Sequence, residues 1–442
     1  MDGLNLSKIV SKIQKEDSLF SKKAALDPLS LPSKVVGREK QAEELVRFLL
    51  GYKQGFVVPL ISIYGRSGSG KSTITRYVCK NLPGISYCFA NLRKAKTVFG
   101  CANQILAEMG EPNLKSAYGL GAAIEKIGAA IEKKLHEEKK KLYVLVLDEF
   151  DVLFYDKRGD PSDFIYKLVD LEEGFRQKGL LVCMICISNN VLSDYEIDDR
   201  IRSRIGTSEI FFEPYSGDDV LKILRERAKD AFAKKVDDSV LEYCTSISSL
   251  EHGDARRAVD LLRVAANLAS KKGEAITKEH VDRASDELQR DRVGIILAAS
   301  SYHFKLVCAS LARLTFVLNK EWYATSSLYK QYCGIIAKDK KPLTSRRVSE
   351  ILTEIVNTGL AKSQTLSRGR HGYGTEYRLT VPPEIVGNAC FPDWWKKVVE
   401  EKESDDETLE MLEQTGHMSK SSPMDGMSNI LKDMVEKGLK DF

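Results

Sequence analysis

The segment "GRSGSGKS", Gly65 to Ser72, carries the chemistry that can be assigned most directly. The pattern GxxxxGK[ST] is met by Gly65, Gly70, Lys71 and Ser72. Glycines let backbone N–H groups close around phosphate oxygens, the lysine places a charge on the β- and γ-phosphates, and the serine hydroxyl can bind Mg²⁺. We therefore predict a site for ATP or ADP with Mg²⁺. Its contacts are also expected to include Ser67, Gly68, Ser69 and Thr73.

Two acidic residues end an apolar run further along the chain, in "YVLVLDEF". Asp148 is predicted to hold the Mg²⁺ shell together with Ser72, and Glu149 to orient or deprotonate the attacking water. Asp151, close behind them, is interpreted as a surface or capping carboxylate. An acidic pair of this kind is common by itself, but after a phosphate loop it indicates nucleotide hydrolysis.

The next apolar run ends in "ICISNN", which puts Asn189 or Asn190 at the carboxyl end of another strand. Ligands of open α/β sheets bind at this edge. Either amide is therefore expected to position the lytic water or to contact the γ-phosphate. By position alone, either asparagine could instead cap a helix.

The elements that must position these residues alternate between strand and helix as far as Pro214, which predicts a parallel sheet with helices on both faces. Residues 216–298 contain only helical patterns, including an alanine-rich stripe in "DARRAVDLLRVAANLA". The expected organisation is therefore an α/β phosphate-loop domain, an all-α domain and a third unit. The predicted boundaries are 1–30 for an N-terminal extension, 31–215, 216–298, 299–396, and 397–442 for an acidic, disordered tail.

The third unit contains a helix followed by a hairpin. "TSRRVSEILTEIVNTGL" places Val348, Ile351, Leu352, Ile355 and Val356 on one face. "LAKSQTLSR" and "GTEYRLTV" then pair as strands around "GRHGYG", which predicts a winged helix. Winged helices bind DNA or dock proteins. Residues 338–378 contain nine Lys or Arg against four Asp or Glu, which favours DNA. The expected DNA contacts are Ser345, Arg346, Arg347 and Ser349 on the helix and Arg368, Arg370 and His371 at the hairpin tip.

Bulk composition excludes few function classes. The chain has 442 residues, a net charge of +4 and no apolar run near the roughly 18 residues that span a bilayer. No signal peptide is recognisable at its N-terminus, so a cytoplasmic protein is expected. The pair Cys183 and Cys186 has CxxC spacing, but its apolar neighbours predict reduced cysteines in the core rather than a metal site.

This order of strands, with an asparagine after the acidic pair, resembles an AAA+ ATPase. Four segments and the basic winged helix are similar, more narrowly, to the archaeal Orc/Cdc-type replication initiators, relatives of the origin recognition complex. The segments are "VVGREKQ" (35–41), "DDRIRSRIG" (198–206), "FFEPY" (211–215) and "GDARRAVDLLRVA" (253–265). The resemblance covers roughly residues 28 to 383.

The resemblance implies roles for matching positions. Asn189 would be the sensor-1 residue and Arg256 the sensor-2 arginine, which reaches the nucleotide from the helical lid. Arg204 matches the arginine finger that acts on a neighbour's nucleotide, with Arg200 and Arg202 as alternates. The other residues implied in nucleotide binding are Val35, Val36, Tyr215 and Arg227. Initiators also carry an extra DNA-contacting helix, for which residues 113–134 are the candidate, although an ordinary packing helix fits as well.

The family resemblance implies an ATP-dependent initiator that binds double-stranded origin DNA through the winged helix and the AAA+ domain. Such a protein recruits or loads the MCM replicative helicase, assembles with other initiator copies, and uses weak ATP hydrolysis as a switch in the cytoplasm, on the nucleoid. One alternative is an AAA+ DNA translocase of the branch-migration type. Another is an origin-binding module in which ATP is only structural.

Overall fold

The computed structural model describes residues 19–28, 30–198, 208–249, 254–336, 341–367 and 373–414. The chain divides into two compact units, residues 1–284 and 285–442. Six residues of the site predictions lie outside the described residues. They are Arg204 with its alternates Arg200 and Arg202, and the hairpin-tip residues Arg368, Arg370 and His371. These therefore remain predictions.

The first unit is built on a five-stranded parallel sheet with the strand order β2-β3-β4-β1-β5. The strands are β1 Leu60–Gly65, β2 Ile85–Asn91, β3 Leu142–Asp148, β4 Leu181–Ser188 and β5 Glu209–Phe212. Every residue of β3 and β4 is buried, as expected for central strands of a parallel sheet that is covered on both faces. The predicted α/β class is confirmed.

Helices surround this sheet and form the all-α part of the unit. Their bounds are α1 Glu39–Leu50, α2 Lys71–Asn81, α3 Val98–Glu108, α4 Gly119–Glu138, α5 Pro161–Gln177, α6 Gly217–Ala231, α7 Asp238–Ser249, α8 Ala255–Lys272 and α9 Lys278–Ala298. Short 3₁₀ turns span Lys23–Leu26, Gly51–Gln54, Leu92–Lys94, Ser116–Tyr118, Phe150–Tyr155 and Leu192–Asp194. The division between the two units falls within α9.

Alternation along β3 divides the core between the two faces of the sheet. Tyr143, Leu145 and Leu147 pack into the cluster that also contains buried residues of α3, α4 and α5. Leu142, Val144 and Val146 pack into the cluster formed with α1 and α2. The two layers hold the carboxyl ends of the strands in a fixed array, so polar residues placed there are brought together.

The alanine-rich stripe predicted after residue 253 forms the buried side of α8. Its predicted members are all buried, namely Ala255, Ala258, Val259, Leu262, Ala265, Ala266 and Ala269. Asp254 caps this helix, because its carboxylate accepts a hydrogen bond from the backbone N–H of Arg256 at 2.9 Å. The cap fixes the start of α8 and therefore the position of the predicted sensor-2 arginine.

The cysteine prediction is confirmed. Cys183 and Cys186 lie in β4 with no solvent exposure, and burial raises the pKa of both thiols. All nine cysteines of the chain are free of disulfides. Across the described residues, none of the helices combines the length and the apolar character that crossing a membrane requires.

The second unit is a winged helix with additional helices. Its strands, in the antiparallel order β6-β8-β7, are β6 Tyr323–Ala324, β7 Ala361–Ser367 and β8 Tyr373–Leu379. Its helices after α9 are α10 Tyr302–Leu318, α11 Thr325–Ile335, α12 Ser345–Asn357, α13 Pro383–Cys390 and α14 Pro392–Gln414. Thr344 caps α12, and Val348, Ile351, Leu352 and Ile355 are buried as the periodicity predicts.

The predicted disorder from residue 397 is wrong for the stretch up to Gln414, because α14 continues to that residue. Trp395, which is 1% exposed, anchors the first turn in the core of the unit. The following residues are rich in Glu and Lys, which are good helix formers. Residues 415–442, including the rest of the predicted tail, lie outside the described residues.

Candidate nucleotide site

The phosphate loop joins β1 to α2 and needs glycine at two close approaches. Gly70 has a φ of +94°, and a Cβ there would lie 2.2 Å from the hydroxyl of Tyr215. Gly68 has a φ of +77°, and its Cβ would lie 2.0 Å from Oδ1 of Asp254, the cap of α8. Any side chain at these positions would therefore force the loop away from both neighbours, in addition to the strain of the left-handed backbone.

Lys71 lies inside the loop and is 7% exposed. Its Nζ donates hydrogen bonds to the carbonyls of Gly65 at 2.6 Å and Arg66 at 2.9 Å, and to Oδ1 of Asn189 at 3.3 Å. Burial, and after it the positive charge of Arg256, lowers the pKa of this lysine to about 8. A buried ammonium held by neutral oxygens is well placed to be neutralised by an anion.

Ser72 and Asp148 form the hydroxyl–carboxylate pair that the sequence predicts. The Ser72 hydroxyl donates to Oδ1 of Asp148 at 3.0 Å, and Nδ2 of Asn91, at the end of β2, lies 3.4 Å from Oδ2. Asp148 is 8% exposed, and burial raises its pKa above the usual value, while the Ser72 hydrogen bond lowers it. Both groups are hard oxygen ligands, so the pair fits a Mg²⁺ ion with its phosphate partners.

Glu149 follows directly and adopts a left-handed conformation with φ of +56°. Its carboxylate lies 3.9 Å from the guanidinium of Arg93, an ion pair between side chains that are 29% and 77% exposed. An ion pair this exposed is weak and is easily exchanged for other partners. Glu149 is therefore at the edge of the site, with its carboxylate free to turn toward a bound nucleotide.

Of the two asparagine alternatives, Asn189 lies in the site. Its Oδ1 accepts from Lys71, and its Nδ2 lies 3.5 Å from Oδ2 of Asp151. Asn190 instead faces the hydroxyl of Tyr195 at 3.4 Å. The interpretation of Asp151 as a surface carboxylate is wrong: it is 6% exposed, because the 3₁₀ turn after β3 folds its side chain back toward Asn189.

A cleft opens beside the phosphate loop. One wall comes from Pro28 and residues 32–36, and the other from α6 and the start of α8. Of the predicted nucleotide-binding residues, the cleft is lined by Val35, Val36, Gly68, Gly70, Thr73, Tyr215, Arg227 and Arg256. The apolar character of both walls, which also include Pro28, Pro32, Ile223 and Val259, suits a flat aromatic base.

Arg256 enters the cleft from the first turn of α8. Its charge acts on both Lys71, whose pKa it lowers, and Asp148, whose carboxylate it stabilises. Arg256 therefore lies near enough for its charge to affect the phosphate-loop lysine and the strand-end carboxylate. The sensor-2 role that the family resemblance implies stays a prediction.

Arg38 is a site residue that the sequence did not reveal. It is 6% exposed, donates from Nε to the carbonyl of Ser69 at 2.9 Å, and donates from Nη2 to the carbonyl of Glu213. Its guanidinium carbon lies 3.8 Å from the ring centroid of Tyr215. No local sequence pattern distinguishes such a residue. Asn91, by contrast, lies at the carboxyl end of β2, where ligands of open α/β sheets bind, and could have been predicted on that ground.

The exposed face of α12 carries the predicted DNA-contacting residues, but their charges are paired. Arg346 lies 3.6 Å and Arg347 2.7 Å from the carboxylate of Glu350, and Arg347 is also 3.7 Å from Glu354. The Ser349 hydroxyl donates back to the carbonyl of Ser345 at 3.0 Å. This face thus presents two arginines and two glutamates rather than a purely basic surface.

The candidate DNA-contacting region 113–134 forms a loop and most of α4. Asn103 on α3 holds the loop through two hydrogen bonds to the backbone of Leu114, at 2.8 and 3.0 Å. Tyr118, directly before α4, is 65% exposed, while Ile124, Ile127 and Ile131 are buried. One side of α4 is therefore a packing surface, and the turn before it is open to solvent.

Comparisons with known proteins agree with this architecture in each of its three domains. Three family models match the chain: an AAA ATPase domain over residues 34–183, a Cdc6 AAA+ ATPase-type lid domain over 221–286, and the CDC6 C-terminal winged-helix domain over 296–389. An ORC1-type DNA replication protein of Desulfurococcus amylolyticus is 32% identical over 371 residues, covering 80% of this chain and 90% of the relative.

Solved structures give the same result. The Aeropyrum pernix ORC1 protein in complex with DNA matches with a TM-score of 0.67 and 28% identity, covering 85% of this chain and 97% of that one. The Aeropyrum pernix ORC2 protein, solved in ADPNP–ADP complexes, matches with a TM-score of 0.57, covering 87% and 100%. At 20% identity, this second likeness concerns the fold alone.

The sheet, the phosphate loop, the helical lid and the winged helix together define an AAA+ ATPase with a C-terminal winged-helix domain. The predicted resemblance to replication initiators is confirmed. The chain belongs to the family of ORC1-type DNA replication proteins.

Proposed function

We propose that the protein is an ATP-dependent replication initiator, which binds double-stranded origin DNA and recruits or loads the MCM helicase. The observation that carries the proposal is the position of Arg256. Arg256 lines the cleft from the lid, and its charge acts on Lys71 and Asp148. Because the γ-phosphate would neutralise this cluster, the lid is expected to adopt different positions with ATP and with ADP.

The nucleotide chemistry follows from the residues of the cleft. Lys71 would bind the β- and γ-phosphates, and Ser72 and Asp148 would hold Mg²⁺, which supplies charge neutralisation when bound. Asn189 is positioned to orient the attacking water and Glu149 to accept its proton. Arg204 would serve a neighbouring copy as an arginine finger, so hydrolysis would depend on assembly. We expect the resulting ATPase to be weak and to act as a switch.

DNA binding is assigned to the winged helix, with a contribution from the turn before α4. Ser345, Arg346, Arg347 and Ser349 would face the major groove, and Arg368, Arg370 and His371 would contact the backbone. The solved structure of the Aeropyrum pernix ORC1 protein in complex with DNA supports DNA binding as such. An initiator of this kind would act in the cytoplasm, on the nucleoid.

The test combines the purified full-length protein with duplex DNA, ATP or ADP, and MCM helicase, and it measures DNA binding and the retention of MCM on the DNA. We expect the wild type to bind duplex DNA in a salt-dependent way and to retain MCM on that DNA with ATP but not with ADP. Lys71→Ala should lose both the ATP-dependent part of duplex binding and the retention of MCM.

A triplex-displacement assay tests the alternative that the protein is a translocating motor. Robust ATP-driven displacement of a third strand by the wild type would contradict the initiator proposal and favour a translocase. Unchanged duplex affinity and salt dependence in an Arg368→Ala/Arg370→Ala variant would remove the hairpin tip from the DNA interface.

A further inference from the structure

The residues that precede the phosphate-loop domain are bound to the lid. We call residues 19–28 and 30–38 the strap. The backbone N–H groups of Ser21 and Lys22 donate to the carbonyl of Ala231, at 2.8 and 3.1 Å, at the end of α6. The rings of Phe20 and Phe232 stack with centroids 5.4 Å apart. The strap therefore begins as an extended segment paired with the lid.

Arg227, on α6, makes the central contact between lid and strap. It is 7% exposed, and its Nη1 donates to the carbonyl of Ala25 at 2.9 Å and to the hydroxyl of Ser30 at 2.8 Å. Its Nη2 donates to the carbonyl of Ser30 at 2.8 Å. A guanidinium can reach three acceptors on one segment because its donors form a planar fork, which a lysine ammonium cannot reproduce.

The other end of the strap is tied to the phosphate loop. Arg38 donates to the carbonyl of Ser69 within that loop. Between these two anchors, Pro32, Val35 and Val36 form one wall of the cleft. The strap thus runs from the lid, along the expected base-binding wall, to the loop that would hold the phosphates.

We propose that Arg227 is a positioning residue for nucleotide binding: it fixes the strap against α6, so that the strap can serve as the wall that receives the adenine ring. The proposal rests on the proposed function in taking the cleft as an ATP site. It differs from the prediction that Arg227 contacts the nucleotide directly, because the donors described above are directed at the strap. The cost of burying the charge, which lowers the pKa of Arg227, is offset by these acceptors.

The test compares Arg227→Met and Arg227→Lys with Arg225→Met in the full-length protein. Arg225 lies on the same helix but is 44% exposed and pairs with Asp238 and Glu242, so it controls for loss of an arginine from α6. We expect Arg227→Met to raise the KM for ATP about tenfold, with kcat within about twofold. Arg227→Lys should resemble Arg227→Met, because the fork rather than the charge is needed.

Hydrogen exchange without nucleotide gives the second measurement. The backbone N–H of Ala233 donates to the carbonyl of Leu19 at 3.2 Å, so it reports on the strap from the lid side. The amides of Ser21, Lys22 and Ala233 should exchange about tenfold faster in Arg227→Met than in Arg225→Met. Equal exchange rates of the strap amides in the two variants would overturn the proposal. If ATP affinity were nevertheless reduced in Arg227→Met, Arg227 would contact the nucleotide directly.

If Arg227→Met does not fold, Ser30→Ala replaces it, because this substitution removes one of the acceptors of Arg227. It should raise the KM for ATP and the exchange rates of the strap amides in the same direction but by less. If the wild type binds no ATP, the proposed function fails, while the exchange still decides whether Arg227 holds the strap.

Discussion

The nucleotide cleft and the exposed face of α12 hold their charged residues in different ways. At the phosphate loop beside the cleft, Lys71 and Asp148 are 7% and 8% exposed, and each is held by several hydrogen bonds. On α12, the side chains of Arg346 and Arg347 are 92% and 52% exposed and pair with glutamates of the same helix. A buried site loses most of its function when one partner is removed, whereas an exposed, paired surface changes gradually and with salt concentration.

The largest effect is expected for Lys71→Ala. Removal of a buried charge from its anion costs about 3–5 kcal/mol, so ATP affinity should fall about a thousandfold. Isothermal titration with ATP measures this loss. Lys80→Ala, an exposed lysine on the same helix, is the control and should leave affinity unchanged. Retained ATP affinity in Lys71→Ala would show that the cleft is not a phosphate site.

The next largest effect is a loss of ATP hydrolysis that leaves ATP binding nearly unchanged. Glu149→Gln keeps the shape of the side chain but removes its ability to accept a proton, so kcat should fall about a hundredfold. ATP affinity should change by less than about threefold, because Glu149 lies at the edge of the site. Single-turnover hydrolysis, measured beside equilibrium binding, separates the two. An undiminished rate would mean that another group activates the water.

Smaller effects are expected on the winged helix. In Arg346→Ala/Arg347→Ala, duplex affinity should fall about tenfold, and the slope of log affinity against log salt should become shallower by about 1–2. Anisotropy titrations between low and physiological salt measure both quantities. A loss of affinity with an unchanged salt slope would indicate that these arginines do not contact phosphates.

The smallest prediction has the opposite sign. Glu350 pairs with both arginines, so Glu350→Gln should free them and raise duplex affinity about twofold to threefold, with a steeper salt dependence. Glu384→Gln, an exposed glutamate of the same unit, controls for the change in net charge. If both substitutions act alike, the pairing on α12 has no specific role.

The same comparison explains what the sequence could predict. Lys71, Ser72, Asp148 and one of the two asparagines after β4 were predicted because strand ends and the phosphate loop have local patterns, and a parallel sheet brings strand ends together. The choice of Asn189 over Asn190 came from the family resemblance. The buried face of α12 was predicted from its periodicity for the same reason. These predictions required only spacing within an element and one rule about the sheet.

What the sequence did not reveal depends on contacts between distant segments. Arg38 reaches Ser69, and Arg227 reaches Ala25 across 202 positions. Asp151 was assigned to the surface because its burial depends on the turn after β3 and on Asn189. The pairing of Glu350 with Arg346 and Arg347 was not predicted either, because it depends on which side of α12 is exposed.

The central claim is that nucleotide state controls where this protein binds DNA. Footprinting across the host's own chromosome, with ATP and with ADP, tests it most directly, and Lys71→Ala serves as the nucleotide-free control. We predict a small number of discrete protected sites near a replication start, occupied more strongly with ATP than with ADP and weakly in Lys71→Ala. Protection spread evenly over the chromosome, or discrete sites that are indifferent to nucleotide and to Lys71→Ala, would contradict the account.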